Sequence, residues 1–169
     1  MQIATRRLEL EPCSVELLSL ALGPRATSPR GVARVPPDWP DRDAVPLFAA
    51  HARALRDDPS LATWGPWIAT LSGELVGDAG FKGPPGDDGG VELSYYLRPK
   101  FRGRGLAREA VAALVNWSFD QGVRVVRAEC HQGNAPSIAL LRALEFARVS
   151  EEDGMLWFEL GAPAEARKR

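Results

Sequence analysis

The tightest constraint on this chain lies in residues 91–121. An apolar, aromatic run that includes Val91, Leu93, Tyr95, Tyr96 and Leu97 reads as a strand ending by Pro99. Arg102, Gly103, Arg104 and Gly105 follow, and a helical pattern then places Leu106, Ala110, Val111 and Leu114 on one face. A strand, a glycine turn and a helix start together present free backbone N–H groups to an anion. Gly103 and Gly105 lack Cβ, so a phosphate can approach the main chain. Five basic residues and no acidic one lie between positions 98 and 108 (Arg98, Lys100, Arg102, Arg104 and Arg108). Arg104 and Arg108 become repelling neighbours if the helix starts early. That concentration of positive charge suits a polyanionic ligand, although solvated arginines on an ordinary strand–helix connection produce the same pattern.

Two nucleotide readings fail on detail. A P-loop needs Gly-Lys followed by Ser or Thr, and the chain has no such sequence. The dinucleotide fingerprint needs a third glycine where Arg108 stands, and no βαβ unit opens the chain.

The remaining pattern, Arg102-x-x-Gly105-x-Ala107, resembles the pyrophosphate motif of the GNAT acyl-CoA-dependent N-acetyltransferases. Residues 5–10 are similar to the opening strand of its ribosomal-protein N-terminal acetyltransferase branch, and residues 73–81 to that branch's second hairpin. Asn134-x-x-Ser137, with Leu140, Leu144 and Phe146 behind it, is similar to its last helix. The resemblance runs over about residues 3–160 and is specific for the superfamily, not for a substrate. It implies a GNAT fold, α+β with a mostly antiparallel twisted sheet flanked by helices. It implies acetyl-CoA as cosubstrate, no metal, and direct transfer to an amine of a small molecule or a protein N-terminus. The coenzyme is then expected on Tyr96, Leu97, Arg98, Arg102, Gly103, Arg104, Gly105, Leu106, Ala107 and Asn134.

The local patterns give an element order βααβββαβαβ(β), which is also α+β or mixed. Residues 3–10 read as one strand. Ser14 suits an N-cap ahead of Val15, Leu17, Leu18 and Leu22, and Asp43 suits a second cap with Pro46 in the first turn. Residues 24–43 form a long irregular connection around Trp39, the aromatic best placed to line an acceptor pocket. Strands at 64–71 and 74–81 join at Ser72-Gly73, and the glycine- and proline-rich 82–90 loop follows. Residues 123–130 form a strand, 134–144 a helix capped by Asn134, and 146–160 a hairpin. The whole of 1–169 reads as one domain, with a frayed tail at about 161–169.

Composition narrows partners and compartment. A net charge of -1 gives no global basic surface for nucleic acid. Of the 21 basic residues only Lys82, Lys100 and Lys168 are lysine, so the arginine bias is not special to one stretch. Cys13 and Cys130 are too few for a disulfide framework or a four-cysteine zinc site. No apolar run approaches the ~20 residues that span a bilayer, and a cytoplasmic protein is expected, monomer or homodimer.

Amide formation from a thioester requires a base for the amine and a donor for the thiolate. Glu92, between Val91 and Leu93, is the candidate base if burial raises its pKa; a solvent-side or ion-paired glutamate is the alternative. His131 is its rival, His51 reads as structural, and Cys130 reads as core. The family's frequent acid, a tyrosine one helical turn past Ser137, is replaced here by Leu141. Ser137, whose counterpart in the branch lies near the coenzyme sulfur, is then the donor, or water is. The same departure leaves open a catalytically silent acyl-CoA-binding module. Glu145 stands where the family has a glycine before the phenylalanine.

Overall fold

In chain order the elements are β1 (Ile3–Ala4), β2 (Glu9–Pro12), α1 (Val15–Leu22), α2 (Val45–Asp57), β3 (Pro66–Leu71) and β4 (Glu74–Phe81). They continue with β5 (Gly90–Leu97), α3 (Leu106–Asp120), β6 (Val125–His131), α4 (Ala135–Ala143), β7 (Ala147–Glu152) and β8 (Met155–Gly161). They come from a computed structural model, which describes residues 1–23 and 35–164. Part of the expected 24–43 connection therefore lies outside the described residues.

The eight strands form one sheet in the order β1-β2-β3-β4-β5-β6-β8-β7. Every neighbouring pair is antiparallel except β5 and β6. Parallel neighbours need a crossover, and α3 supplies it. Two tight turns follow local chemistry: Ser72 and Gly73 have φ of 51° and 79°, and Asp153 and Gly154 have 50° and 77°. Both φ values positive is the turn that matches strand twist, with glycine second.

The core is divided into two apolar clusters. Leu106, Val111 and Leu114 of α3 pack on one with Trp67, Phe81, Leu93 and Val126. Leu18 of α1, Phe48 and Leu55 of α2, Cys13 and Trp39 form the other, with Ile68 and Tyr96 against it. Trp64, Trp67, Phe81 and Trp117 stack with ring centroids 5.1–5.9 Å apart, as tilted pairs.

Several local expectations are corrected by contacts distant in sequence. The single strand at 3–10 is two short strands, because Thr5 and Arg7 turn toward α3. Thr5 Oγ1 donates to Glu109 at 2.6 Å, and the Arg7 backbone N–H and Nε each donate to its carboxylate at 2.7 Å. Asp43 does not cap α2. Asp41 instead accepts from the Asp43 N–H and caps a 3-10 turn at Arg42–Ala44 that leads into the helix. The tail is ordered further than expected: Gly161 pairs with Val125, and the buried Ala162 donates to the Arg124 carbonyl at 2.8 Å. Residues 165–169 lie outside the described residues.

The exit of α4 explains the departure at Glu145. The Phe146 N–H donates to the Leu141 carbonyl and the Glu145 N–H to the Arg142 carbonyl, both at 3.0 Å, with Leu141 and Phe146 buried together. This is a Schellman cap, and its left-handed position is Glu145, at φ 64°. A side chain there strains the backbone, so Glu145→Gly is expected to stabilise the fold by about 0.5–1 kcal/mol. Urea unfolding should show a higher midpoint at unchanged slope.

Candidate active site

β5 and β6 are paired only from Gly90↔Val125 to Leu93↔Ala128. Beyond that point β5 stays bonded to β4 as far as Leu97↔Gly77, and β6 to β8 as far as His131↔Met155. The two strands part while each is held by its outer neighbour. Two adjoining cavities open at this gap. The larger, about 460 Å³, is lined by Asp41, Asp43, Asp78, Lys82, Ser94, Glu129 and Cys130, among others. The smaller, about 310 Å³, reaches Leu97, Arg102, Pro136 and Leu140. Asp41, Tyr95, Tyr96, Asn134 and Ser137 line both, so the cavities meet at these residues.

The loop after β5 has open backbone and leads into a helix N-terminus, a combination that suits anions. Gly103 and Gly105 have φ of 72° and 73°, a conformation that favours glycine, and a Cβ on Gly103 would meet no atom within 4 Å. The backbone there is open, and the first turn of the 15-residue α3 adds N–H groups that have no intrahelical acceptor. Arg7 fixes the loop from behind: its Nη1 donates to the Arg104 carbonyl at 2.9 Å, and its Nε is held by Glu109.

The five basic residues divide by role. Arg98, expected on the coenzyme, has its side chain paired within the protein. Its buried guanidinium binds Asp38 at 2.8 Å and the Leu75 carbonyl at 2.6 Å, and its N–H donates to Val76. Lys100 pairs with Glu74. Arg102, Arg104 and Arg108 make no ion pair among the described residues. Arg102 bonds the Leu97 carbonyl at 2.9 Å and lies 5.5 Å above the Tyr96 ring. α3 starts at Leu106, so Arg104 sits in the turn and not in the helix beside Arg108.

The expected catalytic residues separate as well. Glu92 is half-buried and ion-paired to Lys82, which also bonds Glu129 at 2.8 Å. Lys82 and Glu129 line the larger cavity, and Glu92 does not. Asn134 caps α4 by accepting the Ser137 N–H at 3.2 Å, and so holds Ser137 at the junction of the cavities. His131 is exposed and accepts the Gly133 N–H at 3.0 Å; it lines neither cavity. Leu141 is fully buried, and Leu140 is the residue of that turn which faces the smaller cavity. Trp39 is core, not pocket lining, and its Nε1–H donates to Asp78 at 2.8 Å. Sequence reasoning missed Tyr95 and Asp78. The aromatic run gave the first no distinction, and a lone aspartate between glycine and alanine gave no signal for the second.

A family model for the acetyltransferase (GNAT) domain matches residues 7–147. The chain belongs to the GNAT acetyltransferase family. As a GNAT protein it is an acyl-CoA-dependent acetyltransferase, and acetyl-CoA is the family's acyl donor. The chain is 26% identical over 148 residues to the uncharacterized N-acetyltransferase YjdG of Bacillus subtilis (strain 168), covering 85% of this chain and 88% of that one. It is 38% identical over 106 residues to an L-methionine sulfoximine/L-methionine sulfone acetyltransferase of Pseudomonas aeruginosa, covering 60% and 62%. The structure of Mycobacterium smegmatis RimJ in complex with CoA-disulfide superposes with a TM-score of 0.69 at 20% identity, over 100% of this chain and 90% of that one.

Several groups of this GNAT site have displaced pKa values. Burial pushes the Tyr95 phenol up to about 12, with the Ser137 hydroxyl opposing in part, although the two do not meet in a well-formed hydrogen bond. Tyr95 therefore keeps its proton at neutral pH. Burial also raises Asp78, against the Trp39 hydrogen bond, to about 7. Burial pushes the Cys130 thiol up, which suits a packed and unreactive sulfur. Among the described residues no three His, Cys, Asp or Glu side chains converge to hold a metal, and no helix is long and apolar enough to cross a membrane.

A carboxyl whose pKa is raised on folding binds more protons folded than unfolded. Stability contributed by Asp78 is therefore full below its unfolded value near 3.8 and declines as pH rises toward about 7. The decline is expected to reach roughly 4 kcal/mol. Asp78→Asn should flatten that part of the curve in denaturant melts taken from pH 4 to 8.

Proposed function

We propose that the protein moves an acetyl group from acetyl-CoA to a primary amine, of a small molecule or of a protein N-terminus, by direct transfer in a ternary complex. The observation that carries this reading is the parted β5–β6 edge, which joins an anion-binding loop on one side to an acidic cavity on the other. The free edge of residues 94–97 suits the amide-bearing pantetheine arm, with Tyr96 and Leu97 beside it. The pyrophosphate takes the N–H groups of the Gly103, Arg104, Gly105, Leu106 and Ala107 stretch, with Arg102 and Arg104 adding charge. Asn134 holds Ser137 at the meeting point of the cavities, where its hydroxyl and that of Tyr95 supply donors to the leaving thiolate.

The described lining of the larger cavity carries Asp41, Asp43, Asp78 and Glu129 against Lys82 alone, which favours a cationic amine as acceptor. Glu92 serves as base only if its ion pair with Lys82 opens.

Thermal unfolding with acetyl-CoA, against NADP and ATP as controls, tests the donor half. Acetyl-CoA at 100 times its Kd should stabilise the protein by about 2.7 kcal/mol, and the controls should not. Amine-dependent thiol release tests the acceptor half. A thermal shift without thiol release across a broad amine panel would leave only a coenzyme-binding module. Ser137→Ala and Tyr95→Phe should each lower kcat about tenfold or more, with the acetyl-CoA shift retained.

A further inference from the structure

Asp78 has no part in the chemical step above beyond its share of the cavity's charge, and its surroundings ask for one. It sits within β4, is 6% exposed, and forms part of the larger cavity's wall. Its Oδ2 accepts the Trp39 Nε1–H at 2.8 Å, and among the described residues it makes no ion pair. Trp39 is itself immobilised, edge-on to Phe48 at 5.5 Å within the α1–α2 cluster. The donor therefore orients the carboxylate without neutralising it. A buried carboxylate with one neutral donor is unfavourable unless it binds a proton or a cation. The acidic cavity beside it is where an ammonium would arrive.

Register places Asp78 relative to the parted strands. Its Cα partner across the β4–β5 ladder is Tyr96, and directly paired residues share a sheet face. Asp78 is thus opposite the part of β5 that has left β6, next to the residues common to both cavities. Glu92 lies four residues earlier, where β5 and β6 are still paired, and is occupied by Lys82.

We propose that Asp78 is the acceptor-binding base of this enzyme: it pairs with the acceptor's ammonium and then removes its proton. The proposal rests on the acetyl-transfer reading. In the step, one N–H proton passes to the Asp78 carboxylate, and the freed nitrogen lone pair forms the C–N bond at the thioester carbonyl. The C–S bond breaks with its electron pair going to sulfur. A second proton leaves nitrogen, and its equivalent reaches sulfur through the hydroxyls of Ser137 and Tyr95. Asp78 then returns its own proton to solvent. Nothing is oxidised or reduced.

The titratable groups that act on Asp78 are few among the described residues. Asp41, from the segment before α2, opposes its ionisation; Cys13, after β2, and Tyr96, on β5, are neutral near pH 7. Lys82 lines the same cavity but is held by Glu92 and Glu129. The acidic limb of kcat/KM for the amine, which reports the enzyme before the acceptor binds, is therefore expected near pH 7 and assigned to Asp78.

The test uses the whole protein, saturating acetyl-CoA, and the most active amine of a panel comprising a diamine, an amino-acid amide and an alanine-terminated peptide. Thiol release is followed at varied amine concentration from pH 5.5 to 9, in steps of about half a unit. Asp78→Asn keeps an acceptor for the Trp39 N–H. It should lower kcat about 10²–10⁴-fold and abolish the limb, while the acetyl-CoA thermal shift persists. Trp39→Phe removes the donor that favours the charged carboxylate, so it should move the limb to higher pH without abolishing it. A merely structural Asp78 would lower the amount of folded protein and leave the limb in place. An unchanged limb in Asp78→Asn, with loss of the limb in Glu92→Gln, overturns the assignment while leaving acetyl transfer intact. A wild-type protein that turns over no amine overturns acetyl transfer itself, and the role of Asp78 with it.

Discussion

Everything functional in this structure depends on a ladder that stops. The only parallel pairing among the described residues, β5 with β6, ends at Leu93↔Ala128 although both strands continue. Each continuation is secured on its other edge, β5 by β4 and β6 by β8, so the gap does not unravel the sheet. Backbone polar groups on the parted edges have lost their ladder partners, and a buried or ligand-covered edge must find new ones. An extended ligand bearing amides meets that demand. The helices α3 and α4 each follow one of the parted strands, so both of their N-termini open toward the same gap. One is preceded by the glycine turn, and the other carries Ser137.

The charge pattern follows the same division. On the loop side, Arg98 and Lys100 are committed to Asp38 and Glu74, whereas Arg102, Arg104 and Arg108 make no ion pair among the described residues. Glu109, near the start of α3, does not undo this. Burial opposes its ionisation, but the bonds from Thr5 and Arg7 outweigh that and lower its pKa. It is thereby converted into a brace that lets Arg7 hold the loop carbonyl of Arg104. On the cavity side acids predominate, and Lys82 is balanced by Glu92 and Glu129 together. A polyanion and a cation can thus approach from different directions and meet at Tyr95 and Ser137.

The departures from the family pattern have physical accounts at both ends of α4. Glu145 adopts the left-handed conformation a glycine would take more easily, and the cap bonds and the Leu141–Phe146 contact hold it there. Leu141 cannot stand in for the expected tyrosine in any orientation, since it belongs to the core. The phenol at the junction comes from β5 instead, as Tyr95.

By itself the sequence determined what neighbours within a few residues can decide. Ser72-Gly73 made a hairpin, Ser14 and Asn134 made caps, and Gly103 and Gly105 made an open turn, because each depends on local dihedral and hydrogen-bond preferences. The family pattern was legible for the same reason, being carried by short motifs in order. Tertiary structure alone decided which charges are free and which groups are buried. Asp78 meets its donor 39 residues away, and Lys82 meets Glu129 47 residues away. The turn at Thr5 is set by Glu109, 104 residues on. Burial and pairing are properties of the space between strands, and that space exists only once β5 and β6 have paired and parted.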